Sequence, residues 1–456
     1  MLEDKKMSVR ARRLLAFLKE NGASATVRLL RTKLGAAVAG RPVLNKIKAG
    51  SLIAGVAGPP GTVSEVVRFQ FPSLQPLATY LIPRPSLPRI SLITDSIGSG
   101  SLFGGVGTAL LFAAQLANRM NATLRIVTRT ETPSPKNVLQ ILSAYGIQLR
   151  HEIQFAFAPV PGNDDGAGPT DGATSGLDIG PDETFVTTSW WTTAAALSSV
   201  PRTSIVYLLQ EDERMFYPFG EERVQCEQVL RSEDIRFVVN TRLLFDHLVD
   251  NGLEQLKRNG LWFEPAFPKS LFQPRQNESG GKKRFFFYAR PNNPRNLFHI
   301  GLDIIDQAIN KGILDLAQWD VFLVGKDIPK VIFGDGYLPT QCEGLNWEAY
   351  ADLAGTIDLG LCLMCTPHPS YPPLDLAASG AVVVTNKFGN KQDLSSYSQN
   401  IICADLDTEA LLDALREGVA LAQDGGARSR NFAANGLSGD WAQSFETTLQ
   451  SLVAGR

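Results

Sequence analysis

Short, almost wholly apolar runs alternate along this chain with segments whose apolar residues recur every three or four positions. The first regular run is "RISLITDS" from Arg89, and a helical pattern, "GTALLFAAQLANRM", follows a Gly-rich loop. "TLRIVTRT" predicts a second strand and "SPKNVLQILSAYG" a second helix. "IQFAFAPV", "ETFVTTS", "TSIVYLLQ" and "IRFVVNT" continue the strands. "WWTTAAALSSV", "EERVQCEQVLRS" and "RLLFDHLVDNG" are the helices set among them. After a polar stretch with Pro and Gly-Gly (267–284) the alternation restarts. Its strands are "FFFYAR", "WDVFLVG", "IDLGLCLM", "AVVVTN" and "NIICA". Its helices are "NLFHIGLDIIDQAIN", "NWEAYADLA", one after "PHPSYPPLD", and "DTEALLDALREGVALAQ".

Strands without a polar side are buried on both faces, and strands that alternate with helices pair in parallel. The fold class is therefore α/β, with two doubly wound domains in tandem. The boundaries are a basic extension and Pro/Gly-rich linker (1–88), a first Rossmann-like domain (89–270), a second (282–430) and a closing helix (431–456). The Gly/Asp-rich segment 161–183 has no apolar period and reads as a loop. The length of 456 residues calls for more than one core.

Charge changes this picture in one place. The net charge is -2, which gives nucleic acid no electrostatic footing. Residues 1–48, however, carry twelve Lys or Arg against three acids. "SVRARRLLAFLKE" and "ATVRLLRTKLGAAV" suit basic helices with one apolar side, for docking on an anionic membrane surface or for packing on a domain or a partner subunit. Five cysteines fit a reducing compartment, and no run is long and apolar enough to span a membrane. The expected location is the cytoplasm, with peripheral contact to the membrane's inner face. Cys362 and Cys365 lie in an apolar strand without a second C-x-x-C, so they read as buried thiols and no metal is expected.

In doubly wound sheets ligands bind beyond the carboxyl ends of the strands. The residues there are the candidates. Arg290 and Arg295 flank the turn "PNNP", with Asn296 placed to cap the next helix. Gly325 and Lys326 end the following strand. Three cations at successive strand ends suit an anionic ligand, since helix N-termini and guanidinium forks both favour phosphate. In the first domain Gly104 and Gly105 let backbone approach a ligand, although neither a dinucleotide fingerprint nor a P-loop is present. Gln210, Glu211 and Glu213 follow another strand, where acids bind hydroxyls or act as bases. Asn240 and Thr241 end a further strand and serve either a ligand or a helix cap.

The tandem domains, Arg290 and Arg295 five residues apart, and the late loop "PHPSYPPLD" resemble the retaining family-4 glycosyltransferases of the GT-B fold. Arg290 matches the arginine of their basic motif, Arg295 stands at its lysine, and Asp375 matches the second of two glutamates. Pro367 replaces the first glutamate. Ser370 and Tyr371 match the backbone segment that cradles the donor diphosphate. "YARP", "RNLFHIGLD", "FLVGKD", "TSWWTTA", "LLQEDERMFYPFGEE" and "VVNTRLL" look like the WsaF-type bacterial rhamnosyltransferases over roughly 89–423.

That resemblance implies dTDP-β-L-rhamnose as co-substrate, with no cofactor beyond it. It also implies a glycan or lipid-linked glycan acceptor, retention at the anomeric carbon and no metal. Arg290, Arg295 and Lys326 would then stabilise the diphosphate. The prolines would fix Ser370 and Tyr371 at a helix start, and Asp375 would bind a ribose or sugar hydroxyl. A homodimer is the remaining partner expectation. The alternatives are a GT-B enzyme with another nucleotide sugar and a non-catalytic scaffold of a glycan-assembly complex. A two-domain periplasmic binding protein is disfavoured because no signal-peptide pattern is present.

Overall fold

The computed structural model describes residues 62–98, 104–160, 176–275, 281–334 and 336–455. The basic segments at 8–20 and 25–38 lie outside the described residues. Residues from Val63 onward form one compact unit.

Its first lobe is built on β1 (Arg89–Thr94), α1 (Gly105–Arg119), β2 (Thr123–Thr128), α2 (Pro135–Ala144), β3 (Gln154–Phe157), β4 (Glu183–Thr187), α3 (Trp190–Leu197), β5 (Ile205–Leu209), α4 (Glu221–Leu230), β6 (Arg236–Asn240), α5 (Arg242–Asp250) and β7 (Gly260–Phe263). The seven strands pair in parallel in the order β3-β2-β1-β4-β5-β6-β7. Every residue of β1, β4 and β5 is buried, as unbroken apolar runs demand of central strands.

The second lobe has β8 (Lys283–Ala289), α6 (Phe298–Asn310), β9 (Trp319–Gly325), β10 (Thr340–Glu343), α7 (Trp347–Gly355), β11 (Leu359–Cys362), α8 (Tyr371–Ala378), β12 (Val382–Asn386), β13 (Ile401–Ala404), α9 (Thr408–Gln423) and α10 (Gly425–Ala433). Its six parallel strands run in the order β10-β9-β8-β11-β12-β13. Asn346 and Asp407 start α7 and α9 by accepting from the amides of Ala349 and Ala410. The last helix, α11 (Trp441–Ala454), returns to the first lobe. Its Trp441, Phe445, Leu449 and Leu452 join the core formed by α1 and β1.

Four details differ from the sequence-based expectations. Leu177–Ile179, inside the stretch expected to be loop, is a short strand paired with Thr79–Leu81. Val63–Gln70, expected to be linker, is a helix. Thr340–Glu343 was not expected, because "TQCE" is an edge strand with little apolar content. Asn296 does not cap α6: Asn293 accepts from the Arg295 amide, and Leu297, in the left-handed region at φ 51°, opens the helix.

Near the N-terminal ends of the first sheet lies a closed ionic cluster. Arg89 pairs with Glu183 at 2.7 Å and Asp178 at 2.8 Å, and Arg125 pairs with the same two carboxylates. Arg125 Nε also donates to Ser91 Oγ at 2.8 Å. The cluster ties the short strand carrying Asp178 to the main sheet.

Candidate active site

The C-terminal strand ends of both lobes meet across one cleft. At the end of β5, Gln210 donates through Nε2 to the Gly105 carbonyl at 2.6 Å, and Glu211 reaches the opposite lobe. Its carboxylate pairs with Arg295 at 2.7 Å and accepts a hydrogen bond from the Thr366 hydroxyl. Arg295 leaves the short turn after β8, and its guanidinium lies 4.5 Å from the centre of the Phe216 ring. It is thus fixed by a carboxylate on one side and a π-face on the other.

A second bridge is neutral. Tyr371 opens α8 and its hydroxyl is shared with Thr108 Oγ1 at 2.5 Å and Asn240 Nδ2 at 2.9 Å. Asn240 also reaches Gln210 Oε1 at 3.4 Å. Thr241 caps α5, its hydroxyl accepting from the Leu244 amide at 3.2 Å. Gly104, at φ 67°, begins α1 beneath the Tyr371 ring, so in this conformation the place expected for close ligand approach is filled by that ring. Behind Tyr371 is an aromatic cavity lined by Tyr145, Phe267, Trp347 and Trp441 among others.

The strand-end acids do not act as one group. Asp212 is held by Arg214 at 2.8 Å and by His247, and its pKa is lowered to about 2 by these partners despite burial. Glu213 is buried at the start of α3 and accepts from the Trp190 amide at 2.7 Å. Burial pushes its pKa up to about 8. Of the strand-end residues, Glu211 reaches the other lobe, whereas Gln210 is bonded within its own lobe to Gly105 and Asn240. The expectation that Glu213 contacts sugar or acceptor does not match this inward placement, because its carboxyl is consumed by a helix start.

In the second lobe, Arg290 is half-buried and its guanidinium donates to Tyr288 Oη at 3.3 Å. Lys326 is exposed, and Gly325 lies so close to β8 that a Cβ would sit 1.8 Å from the Ala289 carbonyl oxygen. Gly325 therefore serves strand packing. Among the described residues no ion pair or hydrogen bond joins Lys326 to the Arg295–Glu211 pair. Of the three expected cations, Arg295 is held by Glu211, Arg290 by Tyr288, and Lys326 is exposed.

The proline-rich loop is the most constrained part of the site. Ser370 takes φ 72°, a left-handed value that a non-glycine residue rarely adopts, and Pro372 and Pro373 follow in the first turn of α8. The Ser370 amide, expected to be open to a diphosphate, instead donates to His368 Nδ1 at 2.8 Å. Asp375, expected to bind a hydroxyl, is turned into the protein and accepts from Tyr350 Oη at 3.0 Å. Burial raises its pKa to about 8.

Two residues of the site were missed from the sequence. His368 is buried in the middle of the loop, and Lys391, wholly buried, lies on the turn after β12. The quoted "PHPSYPPLD" contained His368, but its tautomer follows only from the fold. "NKFGNKQD" looks like a surface turn.

The description "WsaF, N-terminal domain" matches residues 89–242 and "WsaF, C-terminal domain" matches residues 283–416. The chain belongs to the WsaF family. This family member is also similar to the O-antigen biosynthesis protein RfbC of Myxococcus xanthus, with 32% identity over 267 residues. That match takes in 58% of the chain but only 20% of the length of that relative.

Among solved structures, sucrose-phosphate synthase from Thermosynechococcus elongatus superposes with TM-score 0.53 at 12% identity, over 81% of this chain and 100% of that one. Trehalose 6-phosphate synthase from Burkholderia multivorans gives TM-score 0.52 at 11% identity, over 81% and 100%. Anabaena HepE, solved with UDP and glucose, gives 0.50 at 11% identity, over 80% and 98%. These likenesses establish the GT-B fold of two facing Rossmann-like domains. No helix among the described residues is long and apolar enough to cross a membrane.

Proposed function

We propose that this chain is a glycosyltransferase that moves a sugar from a nucleoside diphosphate donor onto a bacterial surface polysaccharide. The observation that carries the reading is Arg295, a fixed guanidinium at a strand end of the second lobe, held against Glu211 from the first. The carboxylate occupies the place of an anion. A donor diphosphate would displace it, and Glu211 would then be free to hold a sugar or acceptor hydroxyl. In the reaction the bond from the sugar's anomeric carbon to the phosphate oxygen breaks, a bond to the acceptor oxygen forms, and the acceptor hydroxyl's proton passes to the departing diphosphate. The departing diphosphate takes the negative charge, which Arg290 and Arg295 are suited to stabilise.

The finer reading is L-rhamnose from dTDP-β-L-rhamnose, transferred with retention and without a metal. Membership of the WsaF family and the O-antigen name of the Myxococcus relative support a surface glycan as acceptor. Titration calorimetry with dTDP, UDP and GDP, without and then with Mg²⁺, tests the donor. The expected result is preferential, metal-independent dTDP binding that falls at least about tenfold in Arg295→Ala. Preference for UDP or GDP would discard rhamnose and keep the enzyme class. Absence of binding to all three would favour a non-catalytic scaffold, a reading that the replacement of a glutamate by Pro367 also suits. Docking of residues 1–48 on anionic membrane belongs to the same proposal. Flotation with anionic liposomes is expected to be lost when those residues are removed.

A further inference from the structure

We propose that Lys391 and His368 are binding residues for the donor's anion, receiving beside Arg295 the phosphate that adjoins the sugar. The inference rests on the donor reading above and adds to it two groups that the sequence motifs do not mark.

Lys391 is wholly buried, and its backbone is pinned by reciprocal hydrogen bonds with Phe388. Among the described residues its ammonium has one distant acceptor, the Met364 carbonyl at 3.5 Å. Among the described residues no carboxylate forms an ion pair with it. An ammonium has three protons to donate, and burying it with one weak acceptor is costly unless something else arrives. Burial lowers its pKa to about 8, with the nearby Glu211 acting in the opposite sense.

His368 supplies the second donor. Its Nδ1 accepts from the Ser370 amide, so the ring proton sits on Nε2. That nitrogen is buried and has no partner. The ring stays neutral because burial, then the Lys391 and Arg295 cations close to it, hold its pKa down to about 3. It therefore offers a hydrogen bond at any ordinary pH.

All three donors gather round one short stretch of chain after β11. Lys391 approaches the Met364 carbonyl, the Cys365 amide donates to the Arg295 carbonyl at 2.8 Å, and His368 lies three residues on. Among the described residues one carboxylate, Glu211, forms an ion pair in this group, with Arg295. One monoanion thus faces two cations and a free N–H. The excess suits a ligand with more charge and more acceptor oxygens than a carboxylate, and a diphosphate has both.

The test compares dTDP with dTMP, and UDP with UMP, on the full chain and on Lys391→Met and Lys391→Gln. In the wild type the diphosphate should bind more tightly than the monophosphate. Both variants should lose at least about tenfold of that advantage, keep monophosphate affinity within about twofold, and melt no lower than the wild type without ligand. His368→Gln, which carries the argument if both lysine variants fail to fold, should shrink the advantage by a smaller factor. Undiminished diphosphate preference in the variants would overturn the proposal and leave the donor reading standing. Equal loss for mono- and diphosphate, together with a lower melting temperature, would make Lys391 part of the scaffold and also overturn it. A wild type that binds none of the four nucleotides would remove the donor reading and this inference together.

Discussion

The two ends of the strands treat buried charge in opposite ways. Near the N-terminal ends of the first sheet, Arg89, Arg125, Asp178 and Glu183 form two cations and two anions, each touching both of its opposites. At the C-terminal ends Lys391 is buried and forms no ion pair among the described residues, His368 keeps an unused N–H, and inward-facing Asp375 has its pKa raised to about 8 by burial. A buried ionic group with its partners in place fastens a fold together, and removing one partner strands the other. A buried polar group with few partners contributes little to the fold that an apolar residue could not, and Lys391 and His368 at these strand ends are placed to meet an anion.

The contrast can be broken by substitution. Glu183→Gln should have the largest effect, because it leaves Arg89 and Arg125 with one carboxylate between them. A loss of about 3–5 kcal/mol is expected in chemical denaturation. A loss below about 1 kcal/mol would show that the closed cluster is not a fastening.

Asp375→Asn should act in the other direction and with a pH signature. The folded protein keeps a proton on Asp375 that the unfolded chain releases above 3.8, so stability falls as pH rises from there towards about 8. The amide retains an acceptor for Tyr350 and cannot ionise. A gain that is greatest at pH 8 and shrinks towards nothing at pH 4 is the expected outcome. Glu213, also raised to about 8, should leave part of the pH slope in place. A variant whose stability parallels the wild type at every pH would refute the assignment.

Lys391→Met should change least, leaving unliganded stability equal or raised by about 1 kcal/mol. A large loss would erase the distinction between the two ends.

Most of the architecture was legible, because long β-branched runs such as "AVVVTN" and periodic segments such as "GTALLFAAQLANRM" have one stable placement each. The misses were short edge pieces. "TQCE" has almost no apolar signal, and Leu177–Ile179 is held as a strand by pairing with Thr79–Leu81, a partner remote in sequence. The site was legible by position and less so by direction. Arg295 and Glu211 were found at strand ends, but nothing local tells that Glu213 turns inward to a helix start or that Asp375 faces Tyr350. Lys391 was invisible, since a lysine in a Gly/Asn turn is ordinarily solvated and its burial depends on residues remote in sequence, Met364 and Glu211 among them.

The return of α11 to the first lobe has a mechanical corollary. The chain crosses between lobes before Lys283 and again before Trp441, and the two crossings are stitched side by side where the Phe267 amide donates to the Ser438 carbonyl at 2.6 Å. A single connecting strand would act as a swivel, free to twist as well as bend. A stitched pair resists twisting as a door hinge does, and so helps hold Arg295 in register with Glu211 across the cleft.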